Sequence, residues 1–306
     1  MSALAGRLQD YLRMRRGLGF ALSRIDNNLR CFVGYLDAAG ERTVTVELAV
    51  AWAQLPANIK PITVCFRLSA VRGFGRYLHA VDPAHQIPPP GLLAVPRRRP
   101  EPHVYSAGEL ALLLATARRL RPPLRAATYQ ALIGLLASCG MRVGEALALT
   151  RADVDLADGM ITIRHAKFDR VRLVPLHPSV TAALRDYAAT RDRLCPAPRT
   201  DRYFLSCRGC ELRRQEADRI FRTITAGIGL RTDAARPRIH DLRHTFAVRT
   251  LTDWQRDGTD TQALLPVLST YLGHVEPAST YWYLTAVPEL MQLAAARLER
   301  LEGGSR

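Results

Sequence analysis

Four runs of apolar side chains recur at helical spacing in the first 80 residues. Leu4, Leu8, Tyr11 and Leu12 mark the first, and Ile25, Leu29, Phe32, Val33 and Leu36 mark the second. The second run stands behind Ser23, with Asp26 three residues on in the pattern of a capping box. Leu48, Trp52 and Leu55 follow Thr45 as the third run. Val64, Leu68, Val71 and Leu78 form the fourth, with Arg72 and Arg76 one turn apart on another face. This pattern predicts a small all-α unit over residues 1–82.

The periodicity then breaks. Seven prolines fall among the 21 residues from Asp82 to Pro102, together with Arg97, Arg98 and Arg99. Such a stretch can neither continue a helix nor alternate as a strand, so residues 83–102 read as a semi-extended linker. A second domain, 103–306, opens with another capping box, Ser106 to Glu109. A long helical run from about Leu124 to Cys139 stops at Gly140, where a helix C-terminus favours glycine. Met160 to Arg164 and Val171 to Pro175 alternate as two strands around a polar break at His165 to Arg170, which places Lys167 in or beside a hairpin turn. Beyond the hairpin the pattern is helical almost to the end. The expected fold class is mainly α with a small antiparallel β-sheet, α+β.

Charge narrows the function classes. The chain has 306 residues, with 43 basic against 28 acidic side chains and a formal net charge of +15. Lys60 and Lys167 are its two lysines, so the remaining basic residues are arginines. Hydrophobic content of 48% describes a folded chain, and this much positive charge points to a polyanion, with nucleic acid favoured over an anionic membrane surface or a general arginine bias. Neither a membrane-length apolar run nor the apolar core of a signal peptide is present, so a cytoplasmic location is expected. The six cysteines are irregularly spaced and read as ordinary buried thiols rather than a disulfide framework. Cys207 and Cys210 form a C-x-x-C without a second pair at zinc spacing, and a turn is the expected reading, with no metal.

Four polar islands stand out. Gly140 to Glu145 sets Arg142 in a break between two apolar runs, and Lys167 sits at the hairpin tip. Arg238 to Phe246 holds His240, Arg243 and His244, which share one face if the segment is helical, while Ile239, Leu242 and Phe246 face a core. Two imidazoles four residues apart suggest a metal, but an arginine on the same face repels a divalent cation and suits a phosphate better. The last island is Tyr271 to His274, followed by Tyr281 and Tyr283. These two tyrosines stand about 200° apart around a helix, so only one can face a site. Taken singly, each island also fits a surface residue or ordinary packing.

Taken in order, they resemble one family. Arg142 in R-x-G-E, a lysine on the next β-hairpin, H-x-x-R at His240 and Arg243, L-G-H ending at His274, and a tyrosine nine residues later at Tyr283 resemble the tyrosine recombinases, or phage integrase family. The resemblance covers most of the chain. It implies a helical core-binding domain followed by a catalytic domain, and it selects Tyr283 as the nucleophile over Tyr281. It further implies site-specific breakage and rejoining of double-stranded DNA through a 3′-phosphotyrosyl intermediate and a Holliday junction, with no metal, nucleotide or other cofactor. Arg142 and Arg243 are then expected on the phosphate, Lys167 as general acid, His240 as general base or phosphate ligand, and His274 as a hydrogen-bond donor to the phosphate. Glu145, Asp241 and His244 are expected to support these groups.

Arg72, Arg76, Arg97, Arg98 and Arg99 are expected on the DNA backbone. Residues 1–102 carry +7 and residues 103–306 carry +8, as suits a clamp around a duplex in the nucleoid. A homo-oligomer on DNA is implied, a dimer per site and a tetramer in synapse. An apolar stripe of Leu290, Ala294, Leu298 and Leu301 on a last helix is expected to dock either in its own domain or on a neighbour. A mobile-element integrase or transposase is the favoured role. The alternatives are a type IB topoisomerase-like enzyme and a catalytically silent DNA-binding regulator.

Overall fold

The computed structural model describes residues 2–20, 22–93, 101–164, 171–273, 280, 281 and 283. These fall into two units, Met1–Arg99 and Pro100–Arg306. The first is built from α1 (Ala3–Gly17), α2 (Ser23–Ala38), α3 (Val46–Ala53) and α4 (Pro61–His79). Its core gathers the predicted apolar faces, with Leu12, Leu29, Phe32, Leu36, Val71 and Phe74 almost wholly buried. Each such side chain contributes about 1.5–3 kcal/mol of transfer free energy, which these short helices need because helix propensity alone cannot hold them. Thr45 caps α3 by accepting the Leu48 N–H.

Two details differ from the sequence expectation. Ser23 is already helical and Leu22 stands at the N-cap of α2, while the Asp26 carboxylate pairs with Arg16 and Arg30. The third helix stops at Ala53, so Leu55 lies beyond it and is half exposed. Arg72 donates to the carbonyls of Pro88 and Pro89 at 2.7 and 2.8 Å, which ties the proline-rich segment to α4. Arg76 is exposed, whereas Arg97, Arg98 and Arg99 lie outside the described residues.

The second unit follows the order α5 (Ala107–Arg118), α6 (Pro123–Cys139), α7 (Val143–Ala148), β1 (Val154–Asp155), β2 (Met160–Ile163), β3 (Arg172–Pro175), α8 (Pro178–Leu194), α9 (Arg214–Gly227), α10 (Asp241–Arg256) and α11 (Thr261–Leu272). Both halves of the Ser106 to Glu109 capping box are formed, at 3.1 and 2.7 Å. Helix α6 is apolar on most sides and runs through the core between α5, α8 and α10. It ends as predicted at Gly140, whose φ of +58° lies in the left-handed region. There a Cβ would meet the Phe246 ring at 2.3 Å, so both conformation and space require glycine.

The sheet is antiparallel in the order β1-β2-β3, with Met160 opposite Pro175 and Ile163 opposite Arg172. The short strand β1 has too few residues to show an alternating pattern in the sequence. Lys167 lies outside the described residues. Residues 195–213 are largely irregular, in contrast to the helical expectation. Within them Cys207 and Cys210 occupy a turn closed by Ser206 N–H to Cys210 O at 2.9 Å. Among the described residues no helix is long and apolar enough to cross a membrane.

Candidate active site

Four helix ends converge in the second unit: the C-termini of α6 and α11 and the N-termini of α7 and α10. Arg142 stands at the N-cap of α7 with extended backbone. Its N–H donates to Glu145 Oε2 at 2.9 Å and its Nη1 to Glu145 Oε1 at 2.7 Å. Its Nη2 reaches the Gly273 carbonyl, at the end of α11, at 2.6 Å. Arg172 approaches the same carboxylate from β3, donating from Nη1 to Oε1 at 3.1 Å and from Nη2 to Oε2 at 2.8 Å. Glu145 is therefore a buried bridge between two guanidinium groups. Burial alone would raise its carboxyl pKa, but the hydrogen bonds and charges of Arg172 and Arg142 hold it below the usual range.

Arg243, on α10, is 2% exposed. It donates from Nη1 to the Gly140 carbonyl and from Nη2 to the Leu272 carbonyl, both at 2.8 Å. Burial, followed by the charge of Arg142, lowers its pKa to about 10, so it remains protonated at neutral pH. Each terminal nitrogen of Arg142 and Arg243 carries two hydrogens, and these bonds use one, which leaves donors for a ligand. Arg142, Arg172 and Arg243 face one carboxylate, Glu145, a balance of charge that suits an anion.

The glycine of L-G-H has a steric reason. Gly273 has φ +69°, and a Cβ on it would stand 2.3 Å from Arg172 Nη1 and 3.4 Å from Arg142 Nη1. Gly273→Ala should lower thermal stability by about 1–2 kcal/mol from the left-handed backbone alone. It should also reduce activity through displacement of Arg172, which unfolding and turnover measured on the same preparation will show.

His240 occupies the N-cap position of α10, and His244 follows one turn later. Their rings meet edge to face with centroids 4.9 Å apart. Burial, then the neighbouring His244 and Arg243, lowers the His240 pKa to about 4, so this ring is neutral at physiological pH. His244 Nδ1 lies 2.9 Å from the Tyr283 hydroxyl. Tyr283 is 2% exposed among Ala247, Val248, Leu251, Leu265, Leu268 and Leu272, whereas Tyr281 is 48% exposed. Asp241 accepts from the Arg238 N–H at 2.8 Å and from its Nη2 at 2.9 Å, fixing the entry into α10.

Beside these groups lies a cleft of about 430 Å³, lined in part by Arg142, Glu145, Thr162, Arg164, Arg214 and His240. The structure thus brings together Arg142, Glu145, His240, Arg243, His244 and Tyr283. His274 and the expected last helix with Leu290, Ala294, Leu298 and Leu301 lie outside the described residues. Arg172 was not singled out from the sequence, since one arginine on a short strand among many carries no signal of its partner. Among the described residues no cluster of His, Cys, Asp or Glu is placed to hold a metal ion.

Known proteins share the sequence and the fold of this chain. The model of the phage integrase family matches residues 106–289. A Sinorhizobium fredii protein named as an integrase/recombinase, y4rB, is 46% identical over 98% of this chain and 98% of its own length. The tyrosine recombinase XerC of Chlamydia trachomatis is 31% identical over 75% of this chain and 69% of that protein. A solved structure of the transposon Tn1549 integrase, in complex with transposon right end DNA, superposes with a TM-score of 0.66 over 97% of this chain and 99% of that one, at 16% identity. With a family match across more than half of its length and these relatives on either side, the chain belongs to the phage integrase family, the tyrosine recombinases.

Proposed function

We propose that this protein is a site-specific DNA recombinase that cuts and rejoins strands through a 3′-phosphotyrosyl intermediate, with Tyr283 as nucleophile. The observation that carries the reading is the grouping of Tyr283 with His244 and His240, and of Arg243 with Arg142, beside a cleft lined by Arg142, Arg164, Arg214 and His240. Double-stranded DNA at a specific site is the substrate. Support comes from the basic composition and from a solved integrase of the same fold in complex with transposon DNA. Residues 1–82 serve as the core-binding domain, 83–102 as the linker and 103–306 as the catalytic domain. Arg76, Arg97, Arg98 and Arg99 are assigned to the DNA backbone. Arg72 has a role in holding Pro88 and Pro89, and its remaining donors are available to a phosphate.

The phenol oxygen of Tyr283 attacks the scissile phosphorus, and the bond to the 5′ oxygen breaks. Negative charge grows on the non-bridging oxygens, where the fixed donors of Arg142 and Arg243 lower the barrier without reorganisation. Lys167 protonates the leaving 5′ oxygen, a task arginine performs poorly because it hardly ever releases a proton. His240 and His274 hold the phosphate, while Glu145 and Asp241 set Arg142 and the start of α10 in place. The ester to Tyr283 conserves the energy of the broken bond, so the scheme calls on no nucleotide, and the guanidinium groups carry the charge a metal otherwise supplies. A 5′ hydroxyl from a second duplex then attacks the phosphotyrosine, and two such exchanges pass through a Holliday junction within a tetramer. The kinship with y4rB and the fold shared with a transposon integrase favour movement of a mobile element.

A nicked suicide duplex carrying the sequences that flank the gene tests this. The wild type should form a covalent protein–DNA adduct and Tyr283→Phe should form none. An adduct that persists in Tyr283→Phe refutes the nucleophile, and supercoil relaxation without strand exchange assigns the chain to topoisomerase IB chemistry instead.

A further inference from the structure

We infer that His244, not His240, receives the proton of the Tyr283 hydroxyl during strand cleavage. The inference rests on the recombinase reading above and adds a residue to it. Its basis is the contact of 2.9 Å between His244 Nδ1 and the phenol oxygen, made inside a cluster where Tyr283 is 2% exposed. At that depth bulk water is a poor acceptor for the phenol proton, whose unperturbed pKa is near 10. A neutral imidazole with its hydrogen on Nε2 presents Nδ1 as an acceptor at hydrogen-bond distance, the first geometric requirement of a general base.

The two histidines on α10 divide the site. His240 lines the cleft, whereas His244 stands one turn further along against the nucleophile. Their rings touch edge to face, so the charge state of one affects the other. The neutral state of His240, held by its burial, keeps a second positive charge away as His244 accepts a proton. Arg243 and Asp241 are the charged neighbours on the same helix. Asp241 is engaged by Arg238, and Arg243 by the Gly140 and Leu272 carbonyls.

The step balances. The phenol proton passes to His244 Nδ1 as the oxygen bonds to phosphorus, giving an imidazolium. The electron pair of the broken P–O bond leaves with the 5′ oxygen, which takes its proton from Lys167. In rejoining, the incoming 5′ hydroxyl gives its proton to the now neutral Lys167 as its oxygen bonds to phosphorus, and the imidazolium returns a proton to the departing phenol oxygen. His244 is thereby general base in cleavage and general acid in rejoining.

The test uses the full chain and the nicked suicide duplex, with the rate of adduct formation and noncovalent DNA binding measured in parallel. His244→Asn should slow adduct formation on the order of a hundredfold, the usual worth of a general base, with DNA binding unchanged. Fluorinated tyrosine at position 283, whose phenol ionises more readily, should restore most of that loss in His244→Asn and change the wild type little. Should His244→Asn fold poorly, His244→Gln is read the same way. A variant within threefold of wild type, or equal effects of fluorination on wild type and variant, overturns the assignment. If the wild type itself forms no adduct, the recombinase reading fails first and this step falls with it.

Discussion

Arg243→Lys is expected to reduce strand cleavage about a thousandfold while leaving a folded protein, and Arg243→Ala to lose both activity and stability. Arg243 has two roles on one fork. It closes the site by joining the Gly140 and Leu272 carbonyls, at the C-terminal ends of α6 and α11 far apart in sequence, and its remaining hydrogens are proposed for the phosphate. Lysine keeps the charge but not the planar geometry that serves both tasks at once. Alanine leaves the two carbonyls without this donor in a buried place, at about 1–3 kcal/mol each. Rates of adduct formation, read beside chemical denaturation curves, separate the two effects. A lysine variant of wild-type activity overturns the phosphate role of Arg243.

Glu145→Gln should destabilise the second unit by about 3–5 kcal/mol, because it leaves Arg142 and Arg172 without their shared counter-ion. It should also flatten the acid limb of stability. The folded pKa of Glu145 lies below its ordinary 4.5, so the unfolded state binds the proton more readily. The stabilisation is therefore fully present above about pH 4.5 and is lost as pH falls through the lowered folded value. Thermal unfolding of wild type and Glu145→Gln should converge as the solution is acidified from pH 7 towards pH 3. A constant gap across that range refutes the assignment. Activity should fall as well, since Glu145 holds the side chain and the N–H of Arg142 together.

The helices were legible where a local rule governed them. Apolar spacing marked the helix faces of the first unit, Ser106 and Glu109 announced the start of α5, and Gly140 the end of α6. Local rules failed where a tertiary partner outbid them. Asp26 sits three residues after Ser23, as a capping box requires, yet Arg16 and Arg30 engage it. β1 has two residues, and it exists because β2 offers it a register, Val154 against Ile161, which no local pattern contains.

The site divides along the same line. Residue types in a fixed order along the chain carried the family resemblance, which the family match confirms. That order needs no geometry, because chemistry demands particular side chains and the chain holds them in sequence. What the order could not contain was which groups meet. Arg142 and the Gly273 carbonyl are 131 residues apart, Arg172 and Glu145 are 27 apart, and His244 and Tyr283 are 39 apart. Arg172 looked like any other basic residue, and His244 looked subordinate to His240. Arginine count and charge were determined by the sequence alone, as were the helical periodicity and the ordered set of candidate residues, since each is a local or additive property. Only the tertiary structure decided that Glu145 bridges two arginines, that Gly273 must be small, and that His244 meets the Tyr283 hydroxyl, because those depend on close approach between segments brought together by packing.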